Sequence, residues 1–280
     1  MTEKTVRFPK NKLPMYKVGL VGCGAIGSEL ALAIQKKYSQ FARVSFVNDC
    51  LLTSAESLKR RLKSKPKIVP LDELVRRSDL IVEAASQDAA VKVIPLAHRY
   101  RKKLLVMSVG GILRTSQNII RNFKGTIYIP SGAIGGIDAL LSGSQGKIKN
   151  VSIVTRKPLK SLLGAPLFKQ AKWRSRKVTK PTVVFSGNAQ KAIRLFPQNV
   201  NVAATLSLAG IGAAKTKVQV IASPTFKTNS HEIQFDGDFG KVYFLTENIP
   251  SKSNPKTSAL AINAAIACLE KLFSPIKIGT

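Results

Sequence analysis

Histidine is nearly missing from this sequence: His98 and His231 are the two in 280 residues. Any chemistry that needs an imidazole has two addresses at most. Cysteine is as thin. Cys23, Cys50 and Cys268 are odd in number and scattered, giving neither a disulfide framework nor metal-ligand spacing. A reducing cytoplasm is then the simplest home. Aromatic residues make up 6% and do not interleave with the basic groups, so no base-stacking platform is visible. No apolar run approaches the length of a membrane span. The first residues, "MTEKTVRFPKNKLP", are basic but lack the apolar stretch of a secretory signal. The last shortage is of acid: 15 Asp+Glu stand against 45 Lys+Arg, a net charge of +30. Such a field draws anions, whether nucleotide, dicarboxylate or nucleic acid.

What is present reads as a globular chain, 44% hydrophobic with 19 Gly and 14 Pro, long enough for one large domain or two modest ones. The basic residues come in groups: Lys59–Arg60–Arg61 with Lys63, Lys65 and Lys67; Arg99 with Arg101–Lys103; and Lys169 to Lys180. We read them as a solvated surface, with a nucleic-acid stripe as the sharper and less favoured alternative.

Up to about residue 130, apolar runs alternate with helix-period segments. Val18–Val21 is a buried strand, followed by a glycine turn and a helix with Leu30, Ala31 and Ile34 on one side. "ARVSFVNDC", "SDLIVEAAS", "KKLLVMSVGG" and "GTIYIP" repeat the strand, with "LTSAESLKRRL" and "QDAAVKVIPLAHRY" as helices. This alternation predicts a parallel sheet with helices on both faces. After about Asn150 the pattern changes to strands with few helices. Ile233 and Phe235 alternate with Glu232 and Gln234, and Val242 and Phe244 with Lys241 and Tyr243. Gly237 and Gly240 lie between, which predicts an antiparallel hairpin. The final segment reads as a helix with Thr257 as N-cap and Ala261, Ala264, Ala265, Cys268 and Leu272 on one face. The expected class is α/β: an N-terminal Rossmann-type parallel sheet, a second α+β domain, and a C-terminal helix returning to the first. Residues 1–130 would form the dinucleotide-binding domain, completed by 249–280, with 131–248 as the catalytic and dimerisation domain.

"GCGAIG" sets Gly22, Gly24 and Gly27 in the G-x-G-x-x-G spacing, with Ala25 and Ile26 between. Gly22 permits the tight turn, Gly24 lets a pyrophosphate approach, and Gly27 lets the helix pack close to the strand; the helix N-terminus offers free N–H groups. The motif alone is weak. Here a strand precedes it, a helix follows, and a second strand ends in an acid. That acid, Asp49, is placed to meet the adenosine ribose, which favours NAD, but Asn48 stands directly before it and leaves NADP open. Cys23 lies inside the loop, with redox sensing as a minority reading.

Seven blocks, "GLVGCGAIG", "VEAASQDA", "VMSVGGIL", "IPSGAIGGIDAL", "FPQNVNVAATLSLAG", "NSHEIQFDGDFG" and "NPKTS", together resemble the L-aspartate dehydrogenase family, in order from Val18 to about Leu272. The fourth and fifth are far more specific than the glycine loop, and the sixth follows them in order. The resemblance implies NAD(P)-dependent oxidation of L-aspartate to iminoaspartate, which feeds NAD biosynthesis or hydrolyses to oxaloacetate and ammonia. It also implies a homodimer. By motif position the family's catalytic histidine is His231, and its nicotinamide contacts are Ala133 and Asn201. The chain departs from the family in its extension through Tyr16, in the Asn48–Asp49 pair and in its charge.

The chemistry asks for a base. An ammonium does not release hydride usefully, so the amine must first be neutral. A histidine with a pKa near neutrality takes that proton or activates water for imine hydrolysis. His231 is expected at a strand entry facing a cleft, and His98 at a basic helix end. The two substrate carboxylates need donors. Ser131 and Gly132 lie in a glycine-rich run that is either an anion nest or a simple turn. Lys256 stands before the last helix, as a ligand or as a solvated lysine. Asn229 either orients substrate or makes a turn. Glu83 and Ser86, at the end of a parallel strand, are weaker candidates. Other dicarboxylic amino or keto acids remain alternative substrates on the same fold.

Overall fold

The computed structural model describes residues 15–174, 177–197, 200–251 and 257–279. The chain divides into two compact units. One runs through Pro130 and takes back Ile262–Gly279; the other is Ser131–Ala261. Residues 249–251 and 257–261 therefore go with the second unit, where the Ser258 hydroxyl donates to the Asn248 side chain at 2.6 Å.

The first unit holds β1 (Tyr16–Val21), α1 (Ala25–Lys37), β2 (Ala42–Asn48), α2 (Leu52–Arg61), β3 (Lys67–Ile68), α3 (Leu71–Arg77), β4 (Leu80–Glu83), α4 (Gln87–Arg99), β5 (Lys103–Val106), α5 (Gly110–Arg114), α6 (Gln117–Arg121) and β6 (Thr126–Tyr128). The strands lie in the order β3-β2-β1-β4-β5-β6 and all pair in parallel. This is the doubly wound Rossmann order. It reverses between β1 and β4, and ligands of such sheets bind outside the carboxyl ends of the strands at that point. β1 and β4 are apolar on both faces because helices cover both. The two-residue β3 is too short to show a period. Pro95 sits inside α4 without ending it.

The second unit holds α7 (Ile137–Gly143), β7 (Ile148–Pro158), α8 (Ala171–Arg174), β8 (Thr182–Asn188), α9 (Ala189–Leu195), α10 (Asn201–Ala209), β9 (Lys217–Ser223), β10 (Asn229–Gly237) and β11 (Gly240–Asn248). Its sheet runs β11-β10-β7-β9-β8. β7 and β9 are parallel, and the other neighbours are antiparallel. The hairpin closes where Gly237 faces Gly240.

The last helix, α11 (Ala259–Phe273), returns to the first unit. The Phe273 ring stacks on Phe41 at 5.7 Å and also meets Tyr16 and Tyr38. Burying such a side chain is worth about 1.5–3 kcal/mol. Of two local expectations here, the buried face holds in part, at Ala265, and the cap fails. The buried seam is Ile262, Ala265, Leu269 and Phe273, with Ala261, Ala264, Cys268 and Leu272 at its half-buried flank. Apolar residues surround this helix, so period alone does not choose the seam. The capping side chain is Ser258, not Thr257: its Oγ accepts from the Leu260 N–H at 3.1 Å. Among the described residues no helix is long and apolar enough to cross a membrane.

Candidate active site

The glycine loop follows β1 at the switch point. Gly22 has φ +94°, and a Cβ there would stand 2.7 Å from the Ala84 backbone, just after β4. Gly27 presses on the Gly22 carbonyl, where no Cβ would fit. Gly24 differs: a Cβ on it would meet nothing within 4 Å. No contact with a described residue requires glycine there, while a pyrophosphate approaching the backbone would. No side chain caps the start of α1, so the first-turn N–H groups of Ala25, Ile26 and Gly27 keep their donor capacity for an anion. The loop thus fits a dinucleotide.

Asp49 closes the arrangement. Its Oδ2 accepts from the Cys23 N–H at 2.6 Å and its Oδ1 from the Leu51 N–H at 2.8 Å. Asn48 is occupied elsewhere; its amide donates to the Val69 carbonyl at 2.8 Å. The side chain beside the loop is therefore the carboxylate. Burial, and then the Asp49 charge, push the Cys23 thiol up to about 12, so at neutral pH it is not the thiolate a redox sensor needs.

The weaker candidates of this unit serve its framework. Glu83 is fully buried and accepts from the N–H groups of Ala85, Ser86 and Ser108 and from the Ser108 hydroxyl. Burial raises its pKa, and those donors pull against the rise. Its oxygens join the turn after β4 to the end of β5. The Ser86 hydroxyl caps α4 through the Ala89 N–H. His98 lies in the last turn of α4, where its Nδ1 accepts from the Lys124 N–H at 3.3 Å. Much of the basic charge also closes helices: Lys36 and Lys37, Lys59–Arg61, Arg76 and Arg77, and Arg99 occupy last turns, where the helix dipole favours cations. The group from Lys169 to Lys180 lies partly outside the described residues.

In the second unit the register of the sheet assembles the polar set. His231 on β10 faces Thr155 on β7 and Thr246 on β11. Thr155 faces Val220 on β9. One row across the inner face therefore reads Val220, Thr155, His231, Thr246. Ser230 pairs with Arg156, so one further step sets Asn229 level with Lys157. Asn229 faces Asn248, and Lys157 faces Ala222. The adjacent row reads Ala222, Lys157, Asn229, Asn248. Side chains two apart on a strand share a face, so the two rows form one patch. Beyond it the same face turns apolar through Ile153, Ile233, Val151 and Phe235, all buried.

His231 is not at the sheet's fringe; it is third in its strand and 3% exposed. Its Nδ1 lies 3.0 Å from the Thr155 hydroxyl. The near-neutral ionisation expected of it does not hold in this state. Burial, and then the charge of Lys157, push its pKa down to about 3. It is a neutral imidazole at neutral pH. Lys157 is itself buried, and that burial lowers its pKa to about 8.

The segment Ser131–Ala133 lies against this patch. The Ala133 carbonyl accepts from the Asn248 amide at 3.0 Å and lies 3.3 Å from the Thr246 hydroxyl. Asn248 in turn accepts from the Ser258 hydroxyl at 2.6 Å. Gly132 has φ +75° and approaches Val202, the residue after Asn201. The Asn201 Oδ1 is buried and has no hydrogen-bond partner among the described residues. Asn229 shares the face of His231. Lys256 lies outside the described residues. Thr155, Lys157, Thr246 and Asn248 were not singled out from sequence. A signal for Lys157 was available: in "NVSIVTRKP" it falls in phase with Val151, Ile153 and Thr155, a lysine on an apolar phase.

The first unit, a doubly wound sheet with open space at Gly24 of its glycine loop, and the second, which carries a neutral buried histidine, together define a dinucleotide-dependent oxidoreductase. Comparison with known proteins narrows this. Residues 138–272 match the model of the aspartate dehydrogenase C-terminal family, and 22–126 the homoserine dehydrogenase NAD-binding domain. The chain is 44% identical over 271 residues to the L-aspartate dehydrogenase of Methanocella arvoryzae, covering 95% of this chain and 100% of that one. It is 42% identical over 274 residues to that of Nitrosopumilus maritimus, with the same coverage. The aspartate dehydrogenase crystal structure from Thermotoga maritima superposes with a TM-score of 0.69 at 26% identity, covering 94% of this chain and 99% of that one. The chain belongs to the L-aspartate dehydrogenase family.

Proposed function

We propose that this protein oxidises L-aspartate to iminoaspartate with NAD or NADP, the imine then hydrolysing to oxaloacetate and ammonia. The observation that carries the reading is the polar patch on the inner face of the five-stranded sheet, where His231, Thr155 and Asn229 converge with Ser131–Ala133 alongside. When bound, the dinucleotide supplies the hydride acceptor. Gly22, Gly24, Ala25, Ile26 and Gly27 hold its pyrophosphate and Asp49 its ribose. Ala133 and Asn201 meet the nicotinamide, and the orphaned Asn201 Oδ1 supports an amide partner there. Ser131, Gly132, Asn229 and Lys256 are the proposed substrate ligands. His231, neutral at neutral pH, takes the proton that the substrate ammonium must lose. Thr155 holds the imidazole ring at Nδ1.

The exposed side of the second sheet supports a homodimer. Tyr243 and Leu245 stand on it 58% and 64% exposed, and apolar side chains grouped on an open face mark association surfaces. The scattered free thiols support a cytoplasmic location and the product a place in NAD biosynthesis. The test of the activity is NADH or NADPH oxidation with oxaloacetate plus ammonia, run beside other keto acids. Faster turnover of another keto acid replaces the substrate and keeps the oxidoreductase.

A further inference from the structure

Lys157 is a buried lysine for which no described residue provides a counter-charge. It is 7% exposed, and among the described residues its ammonium has no hydrogen bond or ion pair. A carboxylate is near on the neighbouring strand but faces away. Glu232, next to His231 on β10, lies on the opposite side of the sheet and pairs with Arg156 at 3.0 Å. The inner-face neighbours of Lys157 in its own row are Ala222 and the two asparagines, none of them charged. An ammonium removed from water without a partner is costly, and an apolar side chain of similar length would remove that cost. Retaining it makes sense where an anion arrives from outside.

We propose that Lys157 binds one carboxylate of the dicarboxylate substrate, with the Asn229 amide beside it, one row away from His231. This rests on the reading of the second unit as the aspartate site and adds to it a cation that the sequence did not disclose. The position also joins recognition to proton transfer. Next to burial, the Lys157 charge is what holds His231 low. A carboxylate set against Lys157 offsets that charge, so the imidazole gains basicity when a substrate needing deprotonation is in place. A monocarboxylic amino acid, with its single carboxylate, satisfies fewer of these donors.

The experiment compares wild type, Lys157→Met and Lys157→Arg by aspartate kinetics, by competitive inhibition with succinate, by NADH titration, and by melting with and without succinate. Removing one partner of a buried charge pair raises the aspartate KM and the succinate inhibition constant on the order of 10²-fold. Lys157→Arg recovers part of the loss. NADH affinity stays unchanged, and the ligand-free methionine variant melts no lower than wild type, because it loses an unpaired charge. Succinate raises the melting temperature of wild type and not of the methionine variant. Unchanged aspartate KM and succinate inhibition in Lys157→Met overturn the proposal. So does a drop in kcat alone, which assigns Lys157 to the chemistry, or unfolding of the ligand-free variant, which makes the ammonium a structural group. Failure of the aspartate reading looks different: wild type turns over no aspartate, whatever succinate does.

Discussion

At the carboxyl ends of β1 and β4 the protein presents backbone; on the inner face of the five-stranded sheet it presents side chains. The glycine loop offers N–H groups and space, and its one acidic side chain, Asp49, is itself bound to the backbone of the loop. The patch around His231 is the reverse. Its backbone is consumed by strand pairing, and its chemistry sits on groups from β7, β10 and β11. A backbone site tolerates little change in shape but much in side-chain identity. A strand-face site keeps its shape through substitution and loses function one group at a time. The electrostatics follow. Backbone donors carry no proton to lose, whereas His231 and Lys157 are both pushed away from their ordinary pKa by burial.

The largest break comes at the backbone site. Gly24→Val is expected to abolish NADH binding while the protein stays folded, because the new side chain enters open space where the pyrophosphate belongs. Fluorescence titration with NADH and a melting curve read the two effects separately; a folded variant with unchanged affinity removes the dinucleotide site from this loop.

At the side-chain site, His231→Ala is expected to lower kcat by roughly 10²- to 10⁴-fold with NADH affinity nearly unchanged. His98→Ala serves as the control and leaves the rate alone, since that imidazole meets a backbone N–H at a helix end. The assignment is wrong if the two variants exchange these behaviours.

Acid sharpens the comparison further. The folded-state pKa of His231 lies below its ordinary 6.5, at about 3. Between those values the unfolded chain binds a proton that the folded one does not, so this group's contribution is present above pH 6.5 and is lost as pH falls toward 3. Glu83, whose pKa is raised, acts with the opposite sign: its contribution is full below 4.5 and is lost as pH rises through its folded pKa. Melting temperatures of wild type and His231→Gln isolate the histidine. The wild type should lose more stability than the variant on going from pH 6.5 to 4, and parallel curves would mean that His231 is not held neutral by the fold.

The smallest effect belongs to Asp49. Asp49→Ala loosens the loop for either coenzyme through the lost bond to Cys23, and on the proposed ribose contact costs NADH more. Loss of a hydrogen bond to a charged group, about 1.5–3 kcal/mol, weakens NADH by roughly tenfold or more. NADPH should weaken less. An equal loss for both coenzymes would leave Asp49 only its role as a loop clamp.

Much of this molecule was legible as a string of residues. The alternation of strand and helix, the glycine spacing and the hairpin about Gly237 and Gly240 rest on side-chain period and turn stereochemistry, which act over a few residues. Those properties determined the parallel first sheet and the loop after β1, and the order of the blocks pointed to the family. What lay beyond a few residues was decided by the tertiary structure. Period alone left the seam of α11 open, because packing against Phe41 and Tyr38 selects it. Adjacency left Asn48 and Asp49 level as candidates, because the Val69 carbonyl that occupies Asn48 comes from another segment. The hydroxyl of Thr155 reaches an imidazole 76 positions away through the register between β7 and β10, and that same register brings Lys157 to Asn229. Strand register is a property of two segments at once. Neither strand states it alone, and the burial that sets the charge of His231 and Lys157 exists only after the sheet has formed.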